Sequence, residues 1–157
     1  MRIQLKNSMA HTFVKDVMKE NVISLESEMT VKDAAVKMKE KNVGCVIVTK
    51  QDTPVGIITE RDFVTRIAAN EKTLSTTLSE VMSSPLAVIS PEETVWEAAE
   101  IMKSKGIHKV PVQEGNKVVG IITTTDLVEL CSLGSDSSMR EICDQILLRI
   151  SETKSEK

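Results

Sequence analysis

The chain has 157 residues, 41% of them hydrophobic, and a formal net charge of −3. This length fits one compact domain or two half-domains that share a core, since a unit of about 60 residues is marginal when it folds alone. Charges of both signs are scattered along the chain, and Phe13, Phe63 and Trp96 supply the only aromatic rings, so the sequence lacks the basic footprint and the base-stacking platform of a nucleic-acid-binding protein.

The apolar runs predict where the protein is located, and the cysteine spacing predicts the redox state of the thiols. No apolar stretch approaches the roughly 18 residues of a membrane span, and the first residues lack the apolar core of a signal peptide. We therefore expect a cytoplasmic protein that does not bind a membrane. Cys45, Cys131 and Cys143 form no CxxC pair, so we predict reduced, mostly buried thiols, no disulfide framework and no metal site.

An internal repeat dominates the sequence. Residues 17–64 align with residues 81–128 at a constant offset of 64 and without a gap, and 19 of the 48 aligned positions are identical. This level of identity indicates two copies of one supersecondary unit. The identities fall into three blocks, namely Val-Met openings at 17–18 and 81–82, T-V-x-[DE]-A-A segments at 30–35 and 94–99, and the segments GIITERD at 56–62 and GIITTTD at 120–126.

Each copy begins with a strand-like run and a capped helix. A short apolar run predicts a strand at 22–25 in the first copy and at 86–89 in the second. A threonine followed three residues later by an acid has the spacing of a reciprocal helix cap, and an apolar stripe at i, i+3, i+4 and i+7 continues the helix. The cap pairs are Thr30 with Asp33 and Thr94 with Glu97, and the stripes are Val31, Ala34, Ala35, Met38 and Val95, Ala98, Ala99, Met102.

Two strands and a second helix complete each copy. β-branched segments separated by turn-forming residues predict a hairpin, and a second helix starts near Thr59 or Thr123. The unit is thus β-α-β-β-α, twice, which gives a mixed α+β fold. The hairpin segments are 43–49 with 55–59, and 107–113 with 118–123.

The remaining segments complete the predicted domain organisation. A polar stretch at 69–79 is the predicted connector, and Ser138 with Glu141 has the spacing of a capping box that opens one more helix. The apolar face of that helix suits a core or oligomer contact, or a docking surface for a separate partner. That face comprises Met139, Ile142, Cys143, Ile146, Leu147 and Ile150. We divide the chain into 1–68 (N-terminal segment and first copy), 69–133 (connector and second copy) and 134–157 (C-terminal helix and flexible tail).

The Thr-x-x-Asp tetrads that end the third block have two possible roles. Thr59 with Asp62, and Thr123 with Asp126, have the spacing of helix caps, and on these residues alone the structural role is favoured. The same residues also place a hydroxyl and a carboxylate beside the N–H groups of a helix N-terminus, where phosphate binds readily, and a carboxylate can accept both hydroxyls of a ribose. Because the tetrad recurs at the same place in both copies, the repeat favours a ribonucleotide site.

Together these motifs resemble a cystathionine-β-synthase (CBS) domain pair, also called a Bateman module. The resemblance rests on the tandem unit, its Val-Met openings, its T-V-x-[DE]-A-A helices, the segment GIHKVPV at 106–112 and the two GIIT-x-x-D segments, and it covers about 12–133. It implies a pseudo-twofold disc with two clefts between the repeats, which accept adenosine ligands such as AMP, ADP, ATP, S-adenosylmethionine or NAD. It also implies a homodimer.

The resemblance further implies which residues line each cleft, with base contacts from one repeat and the ribose carboxylate from the other. In the first cleft, His108 and Lys109 match positions where basic side chains meet the phosphates. In the second, Arg61 is the evident cation, and we favour a monophosphate or diphosphate there. The first set is Val22, Ile23, Val43, Gly44, Cys45, His108, Lys109, Thr123, Thr125 and Asp126; the second is Leu86, Ala87, Ile107, His108, Thr59, Arg61 and Asp62.

The function implied by the resemblance is a regulatory sensor that transmits ligand occupancy to a protein partner, which the sequence does not name, or to the dimer geometry. AMP is the favoured regulatory ligand, and no cofactor is obligatory. An enzyme is disfavoured because the sequence has no P-loop, no G-x-S-x-G and no metal cluster. The alternative is a ligand-free dimerisation or scaffold module that acts through its C-terminal helix, in which Asp62 and Asp126 serve only as caps.

Overall fold

The structure is a computed structural model that describes residues 12–133, 143, 144 and 148. These residues group into two compact units, which we name after their Thr-x-x-Asp carboxylates. The Asp62 unit comprises Asn21–Ala87 and Gly115–Val118. The Asp126 unit comprises the other described residues.

The Asp62 unit is built on a three-stranded sheet in the order β1-β2-β3. Strand β1 is parallel to β2, with Ser24 opposite Ile47, and β2 is antiparallel to β3, with Cys45 opposite Thr59. The sheet order confirms the predicted strand and hairpin of the first copy. The elements are β1 (Ser24–Glu26), α1 (Val31–Lys41), β2 (Cys45–Lys50), β3 (Thr53–Thr59), α2 (Glu60–Asp62, continued by a π-helical turn at Phe63–Ile67 and a 3-10 turn at Ala68–Asn70) and α3 (Leu78–Val81).

The Asp126 unit repeats the hairpin and both helices but not the first strand. The run at 86–89 is reduced to a single parallel bridge between Ile89 and Val112, so the predicted second-copy strand is wrong in extent. Pro85 and Pro91 flank this run, and proline has no N–H to donate to a ladder. The elements are a 3-10 turn (Val14–Asp16), α4 (Val95–Lys105), β4 (Lys109–Glu114), β5 (Lys117–Thr123, whose first two residues group with the Asp62 unit) and α5 (Thr124–Leu133).

Reciprocal caps start the first helix of each copy, as predicted. Thr30 donates its N–H and its hydroxyl to Asp33 Oδ2 over 2.8 and 2.7 Å, and the Asp33 N–H donates to Thr30 Oγ1 over 3.2 Å. The pair Thr94 and Glu97 makes the same three bonds. Two backbone N–H donors are thus satisfied at each helix start, and the threonine hydroxyl adds a third bond to the carboxylate. The predicted stripes face the two cores, with Val31, Ala34 and Met38 buried in one and Val95, Ala98, Ala99 and Met102 in the other.

The opening of each copy packs on the opposite copy. The opening of the first copy belongs to the Asp126 unit, where Lys19 and Ile121 exchange N–H···O bonds of 2.9 Å in both directions. The opening of the second copy belongs to the Asp62 unit, where Ser83 and Ile57 exchange N–H···O bonds of 2.9 and 3.1 Å. Each Val-Met opening therefore lies beside the GII segment of the other copy.

A glycine makes each of these contacts possible. A Cβ on Gly56 would lie 2.6 Å from Met82 Sδ and 2.9 Å from the Ser83 carbonyl oxygen. A Cβ on Gly120 would collide with Met18 Sδ and lie 3.3 Å from the Lys19 carbonyl oxygen. The glycine of the third sequence block is thus explained by close packing, and the Val-Met opening of the first block is what it packs against.

The cysteine pairing differs from the prediction of reduced thiols. Cys131 on α5 forms a disulfide with Cys143, and their Cα atoms lie 5.5 Å apart. Three reduced thiols were predicted, which is wrong for this pair; Cys45 is a buried thiol outside the disulfide. Pairing depends on the distance between two Cα atoms, which their spacing along the sequence does not fix. Of the predicted C-terminal helix, the structure describes Cys143, Asp144 and Leu148 as helical, and the rest lies outside the described residues.

We expect Gly56→Ala to destabilise the protein by about 1–3 kcal/mol, since the new methyl group must displace both a side chain and a carbonyl oxygen. Urea unfolding followed by circular dichroism measures the loss. Gly115→Asn is the matched control, because a Cβ there meets no heavy atom within 4 Å and asparagine tolerates the positive φ. A loss below about 0.5 kcal/mol for Gly56→Ala would contradict the packing argument.

The Thr30–Asp33 cap predicts a pH-dependent contribution to stability. The Thr30 hydroxyl, followed by the Thr30 N–H, lowers the pKa of Asp33 below its ordinary value. A carboxyl whose pKa is lower in the folded state stabilises the fold above its unfolded pKa, and this contribution is lost as pH falls through the folded pKa. The melting temperature of Asp33→Asn should therefore lie below that of the wild type at pH 7, and the gap should narrow below about pH 4. A gap that stays constant from pH 7 to pH 3 would contradict this origin.

Candidate functional site

Both Thr-x-x-Asp tetrads lie where the second hairpin strand ends and a helix begins. In the Asp62 unit, Thr59 donates its N–H over 2.7 Å and its hydroxyl over 2.9 Å to Asp62 Oδ2. In the Asp126 unit, Thr123 donates the same two groups to Asp126 Oδ2 over 2.8 and 2.7 Å. The predicted capping role is confirmed in both tetrads, and in each it occupies the Oδ2 atom.

Burial sets these two carboxylates apart from the caps of α1 and α4. Asp62 is 6% exposed and Asp126 is 2% exposed, whereas Asp33 is half-buried and Glu97 is exposed. An ionised carboxylate is costly to bury unless both oxygens are stabilised. The threonine of the cap donates two hydrogen bonds to Oδ2. The partner of Oδ1 therefore determines what each site can bind.

A cation lies against Oδ1 in each site, and neither cation was predicted from the sequence. Arg66 Nε lies 3.1 Å from Asp62 Oδ1, and Lys19 Nζ lies 3.0 Å from Asp126 Oδ1. The Asp126 carboxylate raises the pKa of Lys19 above its ordinary value. The spacing of four residues between Asp62 and Arg66 could have indicated the first pair. Nothing in the sequence indicated that Lys19 would lie beside a carboxylate of the second copy.

Arg66 also binds backbone carbonyls. Its Nη1 donates to the carbonyl oxygens of Val81 and Met82 over 3.2 and 2.7 Å. These carbonyls lie at the C-terminal end of α3, where helix carbonyls lack intrahelical partners. Arg66 therefore joins the buried carboxylate to the Val-Met opening of the second copy.

The residues predicted to contact the base in the first cleft all belong to the Asp62 unit. Ile23 precedes β1 and accepts a 2.8 Å hydrogen bond from the Ile47 N–H. Gly44 accepts a 3.3 Å bond from the N–H of Glu60, the first residue of α2. Cys45 lies opposite Thr59 in the sheet. The unit contains Val22, Ile23, Val43, Gly44, Cys45, Thr59, Arg61, Asp62, Leu86 and Ala87.

The Asp126 unit assembles the equivalent set from the second copy. The His108 carbonyl oxygen accepts a 3.0 Å bond from the N–H of Thr124, the first residue of α5. His108 is half-buried at the turn before β4, and Lys109 is the first residue of that strand. Thr125 is exposed on α5. The unit contains Ile107, His108, Lys109, Thr123, Thr125 and Asp126. Each predicted cleft takes residues from both units, and their meeting stays a prediction.

A groove of about 370 Å³ opens next to two predicted base contacts of the Asp62 unit. Val43 and Gly44 line it together with Phe63 and the C-terminal turns of α1. Thr59, Arg61 and Asp62 do not line it, so the groove is distinct from the carboxylate.

Among the described residues, no helix is both long and apolar enough to cross a bilayer. No three His, Cys, Asp or Glu side chains of that same part of the chain could share a metal ion.

The duplicated unit matches a known domain family. The model of the CBS domain matches the chain twice, over residues 14–69 and 78–133. The chain belongs to the CBS domain family. The resemblance found in the sequence is thereby confirmed, and so is the mixed α+β fold with two tandem CBS repeats.

Relatives and solved structures extend this assignment. The CBS domain-containing protein YhcV of Bacillus subtilis is 31% identical over 134 residues, which are 84% of this chain and 96% of YhcV. Protein MK0525 of Methanopyrus kandleri is 34% identical over 120 residues, and the match spans 74% of this chain and 61% of that protein. The CBS domain pair of protein MJ0100, in complex with 5′-methylthioadenosine and S-adenosyl-L-methionine, has a TM-score of 0.70 at 28% identity over 77% of this chain and 96% of that chain.

We expect Arg66→Met to destabilise the protein by about 1–2 kcal/mol, because it removes an ion pair to a buried carboxylate and two hydrogen bonds to carbonyls. Arg61→Met, in the same helical stretch, is the control and should stay within about 0.5 kcal/mol of the wild type. Urea unfolding of both variants measures the difference. Equal stability of the two variants would show that the Arg66 contacts contribute nothing measurable.

Proposed function

We propose that this CBS domain pair is a regulatory module that binds an adenosine nucleotide, with AMP as the favoured ligand, and that occupancy is transmitted to a protein partner or to the geometry of a homodimer. The ligand contacts are those implied by the family resemblance, drawn from both repeats. The proposal includes binding and no chemical step. It requires that the ligand favour one arrangement of the protein over another, since only differential affinity shifts a conformational equilibrium.

The observation that carries the proposal is the duplicated buried carboxylate. In each tetrad Oδ2 is used by the cap, whereas Oδ1 contacts one cation. Each carboxylate oxygen has two lone-pair sites, so Oδ1 retains capacity for a ligand hydroxyl. A cap alone requires neither the burial nor the second oxygen. The adenosyl ligands named for MJ0100 contain a ribose diol, whose hydroxyls could donate hydrogen bonds to such an oxygen.

The surrounding charges support a phosphorylated ligand. Lys109 lies at the start of β4, next to His108, whose carbonyl contacts the first residue of α5. Arg61 is exposed on α2, one residue before Asp62. Cations near a buried carboxylate reduce its repulsion of a phosphate. The first cleft would have more cationic support than the second, so we propose unequal affinities for the two clefts.

We expect AMP to raise the melting temperature of the wild-type protein in a panel with ADP, ATP, S-adenosylmethionine, NAD and GTP, because a ligand that binds only the folded state stabilises it. Asp126→Asn should weaken AMP binding by at least about tenfold, which corresponds to the loss of one charge-assisted hydrogen bond. Differential scanning fluorimetry gives the shifts, and isothermal titration calorimetry gives the affinities.

The matched control is Asp33→Asn, which removes the carboxylate of a cap with the same geometry outside the predicted clefts. Both variants should lower the melting temperature without ligand, but only Asp126→Asn should lose the part of the AMP shift that arises at its cleft. If no adenosine ligand shifts the wild type, the sensor proposal fails and the scaffold alternative gains support. If both variants keep the full AMP shift, the carboxylate is a cap and nothing more.

A further inference from the structure

The two carboxylate sites obtain their cations from different parts of the chain. Repeat alignment pairs Lys19 with Ser83 and Arg66 with Leu130. The structure supports this equivalence, because Lys19 bridges Ile121 as Ser83 bridges the aligned Ile57. The Asp126 site therefore has a cation after the Val-Met opening and an apolar residue on its helix, and the Asp62 site has the reverse.

The two cations are held very differently. Arg66 contacts Asp62 Oδ1 and two backbone carbonyls, so its guanidinium is fixed by three groups. Within the described residues, Lys19 Nζ makes one ion pair, to Asp126 Oδ1, and its side chain is 63% exposed. An ammonium group has three N–H donors. Arg66 is therefore a structural link, whereas Lys19 has donors available for a further anionic group.

The charge balance at the Asp126 site gives Lys19 a role in selectivity. Asp126 is 2% exposed, and an ionised carboxylate in that position repels a phosphate nearby. Lys19 offsets this charge from the solvent side. It comes from residues 12–20, the N-terminal part of the Asp126 unit, and lies outside every residue set that the family resemblance implies.

We propose that Lys19 is a specificity-determining residue of the Asp126 site, which favours adenosine ligands with an anionic 5′ group over uncharged ones. This inference rests on the proposed adenosine site. Lys19 holds Asp126 Oδ1 and presents its remaining N–H groups to the ligand's phosphate. The Asp62 site, with Ser83 at the equivalent position, lacks this contribution and depends on Arg61 for phosphate binding.

The test compares a charged and an uncharged ligand on Lys19→Met. All proteins carry Arg61→Ala, which removes the exposed cation assigned to the other site without changing either carboxylate. Calorimetry measures the affinities for AMP and for 5′-methylthioadenosine, which has no charge at its 5′ position. We expect Lys19→Met to weaken AMP about tenfold and 5′-methylthioadenosine less than about threefold, since only AMP loses a charge-assisted contact. The AMP effect should shrink as salt is raised, because the ion pair is exposed.

Lys15→Met is the matched control. Lys15 belongs to the same segment and pairs with Glu92 over 2.9 Å on the surface, with its side chain 43% exposed. Its loss should leave both affinities within about twofold, because its contacts among the described residues, with Glu92 and Phe13, lie outside the predicted cleft positions. Melting without ligand checks that both variants are folded.

The outcomes separate this inference from the proposed function. If the Arg61→Ala protein binds AMP and Lys19→Met binds it equally well, or loses both ligands to the same extent, the specificity role is wrong while the sensor proposal stands. If the wild-type protein binds neither ligand, the adenosine site itself is wrong, and the role of Lys19 fails with it.

Discussion

The reciprocal bond between a threonine and an aspartate, at the junction of a strand and a helix, is the contact on which both units depend. At Thr59 and Thr123 the backbone leaves the sheet and turns into a helix, and the aspartate three residues later fixes that turn through Oδ2. The junction also contacts the residue just before the first hairpin strand, since Glu60 and Thr124 donate their N–H groups to the carbonyl oxygens of Gly44 and His108. Sheet, helix and candidate site are thus joined at one point in each unit.

Burial gives this cap a second property. A cap on the surface, such as that of Glu97, can be satisfied by water on its remaining oxygen. Asp62 and Asp126 are buried, so the remaining oxygen requires a partner from the protein or from a ligand. The protein supplies a cation in both cases, but Arg66 is fixed by three groups and Lys19 by one ion pair. Two copies that share the same tetrad therefore differ in how open each carboxylate is to a further partner.

Local patterns in the sequence predicted most of the fold, because caps, stripes and hairpins depend on residues close together in the chain. Thr30 with Asp33 and the stripe from Val31 to Met38 are examples. The strand at 86–89 was overestimated because apolarity alone cannot show that adjacent prolines interrupt a ladder.

Contacts between distant segments were not predictable in the same way. Lys19 and Asp126 lie in different copies, and each looks like an ordinary surface or capping residue in its own segment. The disulfide between Cys131 and Cys143 has no recognisable spacing either. The tetrads could be predicted because their threonine and aspartate are three residues apart and recur in both copies. Lys19 reaches Asp126 only because the folded chain brings two distant segments together.

That path means that the unit copied in the sequence is not the unit that folds. A fragment cut at the sequence boundary after residue 68 would keep the first three strands but lose Met82 and Ser83, which pack on Gly56 and Ile57. A fragment that begins at residue 69 would likewise lose Met18 and Lys19. The two copies, aligned over 48 residues at an offset of 64, thus fold into two units that are each completed by the opening of the opposite copy, so neither copy carries in its own sequence all the contacts of the unit to which it belongs.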